Sequence, residues 1–132
     1  MKTVLFVCVR NASRSQMAEA FFNRMAKGKA MALSAGTRLA DEINPLVVKA
    51  MREVGIDISD NKPKALTMEM VEKADRMVTM GCGAETEAVC PARLIQTEDW
   101  ALADPQGKPI EEVRRIRDEI EQKVLKLSEE LV

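Results

Sequence analysis

The apolar run Val4-Leu5-Phe6-Val7 leads straight into Cys8, and six positions later Arg14 opens a stretch with helical periodicity. This constrains the fold more than any other part of the chain, because it commits the segment to a strand, a tight loop and a helix in succession. A loop curling between a strand end and a helix start turns successive backbone N–H groups inward, and the helix dipole adds positive potential at the same place. Such a hollow holds an anion. The five residues between Cys8 and Arg14 let the loop close with the sulfur below and the guanidinium above. Arg14 can fork two donors onto a tetrahedral oxyanion, and the same positive field favours the thiolate form of Cys8. The candidate oxyanion loop is therefore Val9, Arg10, Asn11, Ala12, Ser13, Arg14 and Ser15. Asn11 suits a positive φ and can brace the loop through its amide. Ser15 is placed to cap helix donors or to hydrogen-bond the sulfur of Cys8. Arg10 reads as a solvated side chain that raises local potential. A bare Cys-x5-Arg spacing is common by chance, but the strand before it, Asn11 within it and the helix after it argue against coincidence.

The rest of the chain repeats the strand and helix alternation. Lys2 to Val7 reads as a buried strand, and Ser15 to Lys27 as a helix with Met17, Ala18, Phe21 and Met25 on one face, stopped by Gly28. Met31 to Ser34 reads as a second strand ended by Ala35-Gly36, and Asn44-Pro45 as a cap with proline in the first helical position, opening a helix that stops at Gly55. Leu66 to Ala74 follows as a short helix, with Arg76 to Met80 and Leu94 to Thr97 as short apolar strands. From Pro109 onward Ile110, Val113, Ile116, Ile120, Val124, Leu127 and Leu131 recur at steps of three and four, which predicts a long amphipathic helix with Glu and Arg on its outer side. The expected fold is α/β: a small doubly wound sheet of four parallel strands flanked by helices, as a single domain over residues 1–132. Ligands in such folds sit beyond the carboxyl ends of the strands. Cys8, the segment Met80-Gly81-Cys82 and the loop carrying Asp104 all fall at that rim.

Composition narrows the chemistry. A net charge of −1 with both signs interspersed gives no basic stripe for nucleic acid and no polybasic membrane patch. The first apolar run is too short for a signal peptide or a membrane span, so a cytoplasmic location is expected; a monomer is the expected state. The three cysteines, at positions 8, 82 and 90, form an odd set better suited to reactive thiols than to a disulfide framework. The absence of histidine removes Ser-His-Asp and Cys-His nucleophiles and makes a zinc site hard to build, so no metal and no cofactor is expected. Cys8 must be activated by its own loop. The nine methionines are most simply core filler.

The stretch Cys8-Val9-Arg10-Asn11-Ala12-Ser13-Arg14-Ser15-Gln16-Met17-Ala18-Glu19 resembles the signature of the low-molecular-weight protein tyrosine phosphatase superfamily. Within it, Ser34-Ala35-Gly36-Thr37, Gly55-Ile56-Asp57-Ile58-Ser59 and the segment from Gly81-Cys82 to Cys90-Pro91 are most similar to thioredoxin-coupled arsenate reductases, enzymes of arsenic detoxification. The resemblance implies that Cys8 attacks arsenate held by the loop and Arg14, with Asp104 as general acid. It implies too that Cys82 and Cys90 complete a disulfide relay emptied by thioredoxin or a similar dithiol reductant. Some relatives bind potassium near the residues that correspond to Asn11 and Glu19, but around Lys62-Pro63-Lys64 there is no further acidic ligand. Phosphatases of the superfamily hold an aryl ring between aromatic walls and carry tyrosine after the Asp-Pro of the acid loop. Here Asp104-Pro105 is followed by Gln106, and the chain has no tyrosine. Two alternatives stay open: a tyrosine or small-phosphoester phosphatase using Cys8, Arg14 and Asp104, and a non-catalytic module that keeps the cradle without the chemistry.

Overall fold

Every residue from Val4 to Cys8 is buried, which a strand achieves only when both faces of its sheet are covered. In the computed structural model, which describes residues 2–80, 96–100 and 102–131, this strand is β1 (Lys2–Cys8), an interior strand of a four-stranded sheet. The order is β2-β1-β3-β4, with β2 at Ala30–Gly36, β3 at Arg76–Thr79 and β4 at Gln96–Asp99, and every neighbouring pair is parallel. Lys2 to Cys8 lie opposite Ala30 to Gly36 on one side, and Val4 to Val7 lie opposite Arg76 to Thr79 on the other. The chain leaves β1 first for the neighbour on one side and later for the neighbour on the other. The carboxyl end of β1, which is Cys8, is thus the topological switch point where such sheets open a crevice.

Among the described residues, four helices flank the sheet: α1 (Arg14–Ala26), α2 (Pro45–Glu53), α3 (Met68–Lys73) and α4 (Ile110–Leu131). Helix α1 buries Met17, Ala18, Phe21, Phe22 and Ala26, while α4 buries Val113, Ile116, Ile120, Val124 and Leu127 along the expected stripe. The two helices pack on each other, and the Phe6 ring joins the layers, with centroids 6.2 Å from Phe22 and 5.7 Å from Trp100. The outer face of α4 is not wholly solvated, contrary to expectation. Arg117 is buried, with Nη1 donating to Ala50 O at 2.9 Å and to Glu53 Oε1 at 3.0 Å, so it ties α4 to α2. No helix among the described residues is long and apolar enough to cross a membrane.

Several boundaries moved for identifiable reasons. Strand β2 runs from Ala30 through Gly36 because Ala35 and Gly36 pair with Val7 and Cys8. Helix α3 starts at Met68, because Ala65 and Leu66 extend the end of β2: Leu66 N donates to Gly36 O at 3.0 Å, and Thr67 then caps the helix through Met70 N. Helix α1 begins at Arg14, one residue before the expected start, and ends with Lys27 and Gly28 both in the left-handed region, at φ 49° and 84°. The last strand is Gln96–Asp99, with Leu94 and Ile95 outside the described residues. At the edge of the sheet a polar sequence is no obstacle to pairing. Asn44 and Pro45 open α2 as read, with Asn44 Oδ1 accepting from Leu46 N at 3.0 Å.

Candidate active site

The segment after β2 wraps the loop that follows β1 and fixes its peptide planes. Arg38 N donates to Val9 O at 2.8 Å, Ala40 N to Arg10 O at 3.2 Å and Asn44 N to Ala12 O at 3.0 Å. In a trans peptide the N–H points opposite to its C=O, so the N–H groups of Arg10, Asn11 and Ser13 face away from this wrapping segment. The inward turn of N–H groups expected of an anion cradle is therefore supported by hydrogen bonds from outside the loop. Asn11 takes φ 53° and is fully buried, in keeping with the tolerance of asparagine for that region.

Side chains then lead inward to the sulfur. Asn11 Nδ2 donates to Ser15 Oγ at 2.7 Å, and Ser15 Oγ lies 2.8 Å from Cys8 Sγ. Since Ser15 already accepts from an amide N–H, its single proton is free for the sulfur. Ser15 therefore faces the Cys8 sulfur rather than the helix end, and Ser13, the residue at the cap position, makes no side-chain cap bond. Cys8 is buried and is a free thiol.

Arg14 is 6% exposed and anchored from the far side of the sheet. Its Nη1 donates to Met80 O, just past β3, and at 3.1 Å to Leu102 O, beyond β4. Its Nε is buried and has no hydrogen-bond partner among the described residues, and Nη2 lies 3.9 Å from Asp104 Oδ2. One amino group is thus spent on orientation, which leaves the Nε and Nη2 edge to grip two oxygens of a tetrahedral anion. Asp104 is half exposed, and its Oδ1 accepts from Gln106 N at 3.0 Å, a turn that aims the carboxylate toward the rim.

The structure thus brings together Cys8, the loop from Val9 to Ser15, and Asp104, with Arg10 exposed as expected. Cys82 and Cys90 lie outside the described residues. Beside the loop opens a cleft of about 270 Å³ lined by Arg10, Ala12, Ser13, Glu42, Asn44 and Gln106 among others, and no aromatic side chain is among its described walls. Trp100, the chain's only tryptophan, is buried against Phe6.

Sequence reasoning missed a polar brace behind the loop. Gln16, fully buried, donates from Nε2 to Asn11 Oδ1 at 2.9 Å and to Lys62 O at 3.2 Å, while Asn61 Nδ2 donates to Gln16 Oε1 at 3.2 Å. Lys64 N donates to Asn11 Oδ1 at 2.8 Å, and Lys64 Nζ lies 2.9 Å from Glu19 Oε2. An ammonium already occupies the Glu19 carboxylate. The available signal was an amide side chain two residues past Arg14, one position before the apolar stripe that starts at Met17; nothing local marks Lys64.

A model of the low molecular weight phosphotyrosine protein phosphatase family matches residues 3–132. The chain belongs to this family. Among low-molecular-weight phosphatase relatives, it is similar to the arsenate reductase of Brevibacillus brevis, 39% identical over 130 residues that make up 97% of this chain and 95% of that protein. An arsenate reductase solved in its phosphate-binding state superposes with a TM-score of 0.85 at 34% identity, covering 100% of both chains. The arginine phosphatase YwlE of Geobacillus stearothermophilus gives 0.89 at 28% identity, over 99% of this chain and 93% of that one. The thioredoxin-dependent arsenate reductase of Corynebacterium glutamicum gives 0.84 at 34% identity, over 99% of this chain and 62% of that one. The four-stranded parallel sheet and its flanking helices are the family's fold.

Proposed function

We propose that this chain is an arsenate reductase that draws its electrons from thioredoxin. The observation that carries the reading is likeness to an arsenate reductase over nearly the whole chain, in a molecule whose thiol and oxyanion cradle are intact. A cleft with no aromatic side chain among its described walls agrees with a small inorganic oxyanion better than with an aryl phosphate.

In the proposed mechanism the Cys8 thiolate attacks arsenic while the loop N–H groups and the open edge of Arg14 hold the oxygens, and Asp104 gives a proton to the departing oxygen, which leaves as water. Cys82, as thiolate, then attacks Cys8 Sγ. The S–S bond forms as the S–As bond breaks, the electron pair stays on arsenic, and arsenic falls from the pentavalent to the trivalent state. Cys90 attacks the sulfur of Cys82 and releases Cys8 as thiolate, and the dithiol of thioredoxin reduces the remaining disulfide. No resident cofactor is needed, and the reducing cytoplasm is the compartment in which these thiols would stay poised.

The test is a coupled assay with arsenate, thioredoxin, thioredoxin reductase and NADPH. Sustained NADPH loss is expected for the wild type, and none for Cys8→Ser, Cys82→Ser or Cys90→Ser. Normal turnover by both Cys82→Ser and Cys90→Ser would overturn the relay. Turnover of an aryl phosphate without reductant, at a rate above that of arsenate reduction, would instead favour a phosphatase.

A further inference from the structure

Segment 61–64 has no part in the mechanism above, yet four of its groups reach the back of the anion loop or the first turns of α1. Lys64 is held at three points. Its N–H donates to Asn11 Oδ1 at 2.8 Å, its carbonyl accepts from Gly36 N at 2.8 Å, and its ammonium lies 2.9 Å from Glu19 Oε2 on α1. The Glu19 side chain is 12% exposed, so this pair is partly withdrawn from water.

The direction of the hydrogen bonds gives the arrangement its meaning. A backbone N–H and a side-chain amide N–H can only donate, so the Lys64 amide and Gln16 Nε2 together oblige Asn11 to turn Oδ1 toward them. Nδ2 must then point the other way, toward Ser15 Oγ, where it also can only donate. Ser15, which accepts there, has its proton available for Cys8 Sγ at 2.8 Å, and a thiolate, having no proton of its own, can only accept it. A donor on sulfur favours the anion over the thiol, because only the anion accepts it strongly. The sense of the whole relay is therefore set by the Lys64 amide and Gln16 Nε2 together, and Lys64 stands only two side chains from the sulfur in space.

We infer that Lys64, anchored by its ion pair with Glu19, is a positioning residue that works with Gln16 to fix the polarity of the hydrogen-bond relay ending on Cys8. The inference rests on the reading of Cys8 as the nucleophile and not on the identity of the oxyanion. Without the ion pair, segment 61–64 loses its charged tie to α1, the Lys64 amide drifts from Asn11, and the asparagine is held by Gln16 alone and turns more readily. Long-range charge alone makes a different forecast, since removing a cation and removing an anion would then act on the sulfur in opposite senses.

The test uses the full chain carrying Cys82→Ser and Cys90→Ser, so that Cys8 is the only thiol, and measures its alkylation by iodoacetamide at neutral pH. Lys64→Met and Glu19→Gln should both slow alkylation, by about tenfold, the worth of one hydrogen bond to a charged group. Lys64→Arg should restore at least half the wild-type rate. With all three cysteines present, the same variants should lower kcat for arsenate while KM stays within about twofold, since the loop donors and Arg14 remain. Far-UV circular dichroism identifies any variant that fails to fold, and Glu19→Gln approaches the same pair from the other side. Alkylation at the wild-type rate in Lys64→Met, or faster alkylation in Glu19→Gln, overturns the inference. If the wild type does not reduce arsenate at all, the reductase reading falls while the alkylation series still decides the role of Lys64.

Discussion

A Cβ placed on Gly36 would stand 2.7 Å from the carbonyl oxygen of Val9, with Asn11 N at 2.9 Å and Arg10 C at 3.0 Å. All three atoms are backbone of the anion loop, so nothing there can swing aside as a side chain would. The end of β2 is thus a floor on which the loop lies, and Gly36 also holds segment 64–66 through its N–H and carbonyl. Gly36→Ala must push the loop outward by some tenths of an ångström. We expect a loss of about 1–3 kcal/mol in stability from overpacking. Because catalytic geometry tolerates displacement poorly, a fall in kcat/KM of up to about 100-fold should accompany it. Thermal melting and steady-state arsenate reduction check the two effects. Unchanged activity would mean that the loop's position is not set by β2.

That contact shows where sequence reasoning stops. Cys8, Asn11, Arg14 and Ser15 were legible because a strand, a loop and a helix start are local events, and residue type alone says which side chain tolerates φ 53° and which can meet a sulfur. The burial of β1 and the stripe on α4 were legible for the same reason. Gly36, Lys64 and Arg117 act across the fold instead: Lys64 meets Asn11 from 53 positions away, and Arg117 reaches Ala50 from 67. A lysine and an arginine in polar stretches carry no mark of the distant partners they hold. Asp104 lay between these cases. An aspartate before proline is an ordinary turn residue, and only its 3.9 Å approach to Arg14 connects it with the rim.

The ionic tie between α2 and α4 gives a pH-dependent prediction. Glu53 takes Arg114 Nη2 at 2.7 Å and Arg117 Nη1 at 3.0 Å, and the hydrogen bonds and charge of Arg114 first, then those of Arg117, bring its carboxyl down from 4.5 to about 2. A carboxyl lowered in the folded state stabilises the fold above its unfolded value, and that contribution disappears as pH falls through the folded one. The window is therefore from about pH 4.5 down to about 2. The pair is partly solvated, so its absolute worth is small. Melting temperatures measured from pH 6 to pH 2.5 should fall less steeply for Glu53→Gln than for the wild type. Parallel curves would show that Glu53 has no part in the acid response.

Arg14→Lys separates the two tasks of the guanidinium. In the wild type, Nη1 is committed to Met80 O and Leu102 O, while Nε and Nη2 remain for the anion. An ammonium has three donors at one point and no planar fork, so it can satisfy the two carbonyls or reach the oxyanion, but not do both with this geometry. If it stays with the carbonyls, stability changes little and catalysis loses the bidentate grip, a fall in kcat of about 100- to 1,000-fold by analogy with the removal of an oxyanion donor. If it moves to the anion, the carbonyls lose their donor at a cost of about 1–3 kcal/mol each, and melting falls instead. The first outcome is expected, because the two carbonyls hold the side chain whether or not an anion is present. Thermal melting beside arsenate turnover distinguishes the outcomes, with inhibition by inorganic phosphate as an independent measure of grip. A lysine variant with more than about a tenth of wild-type kcat and unchanged phosphate inhibition would show that the forked edge is not what holds the oxyanion.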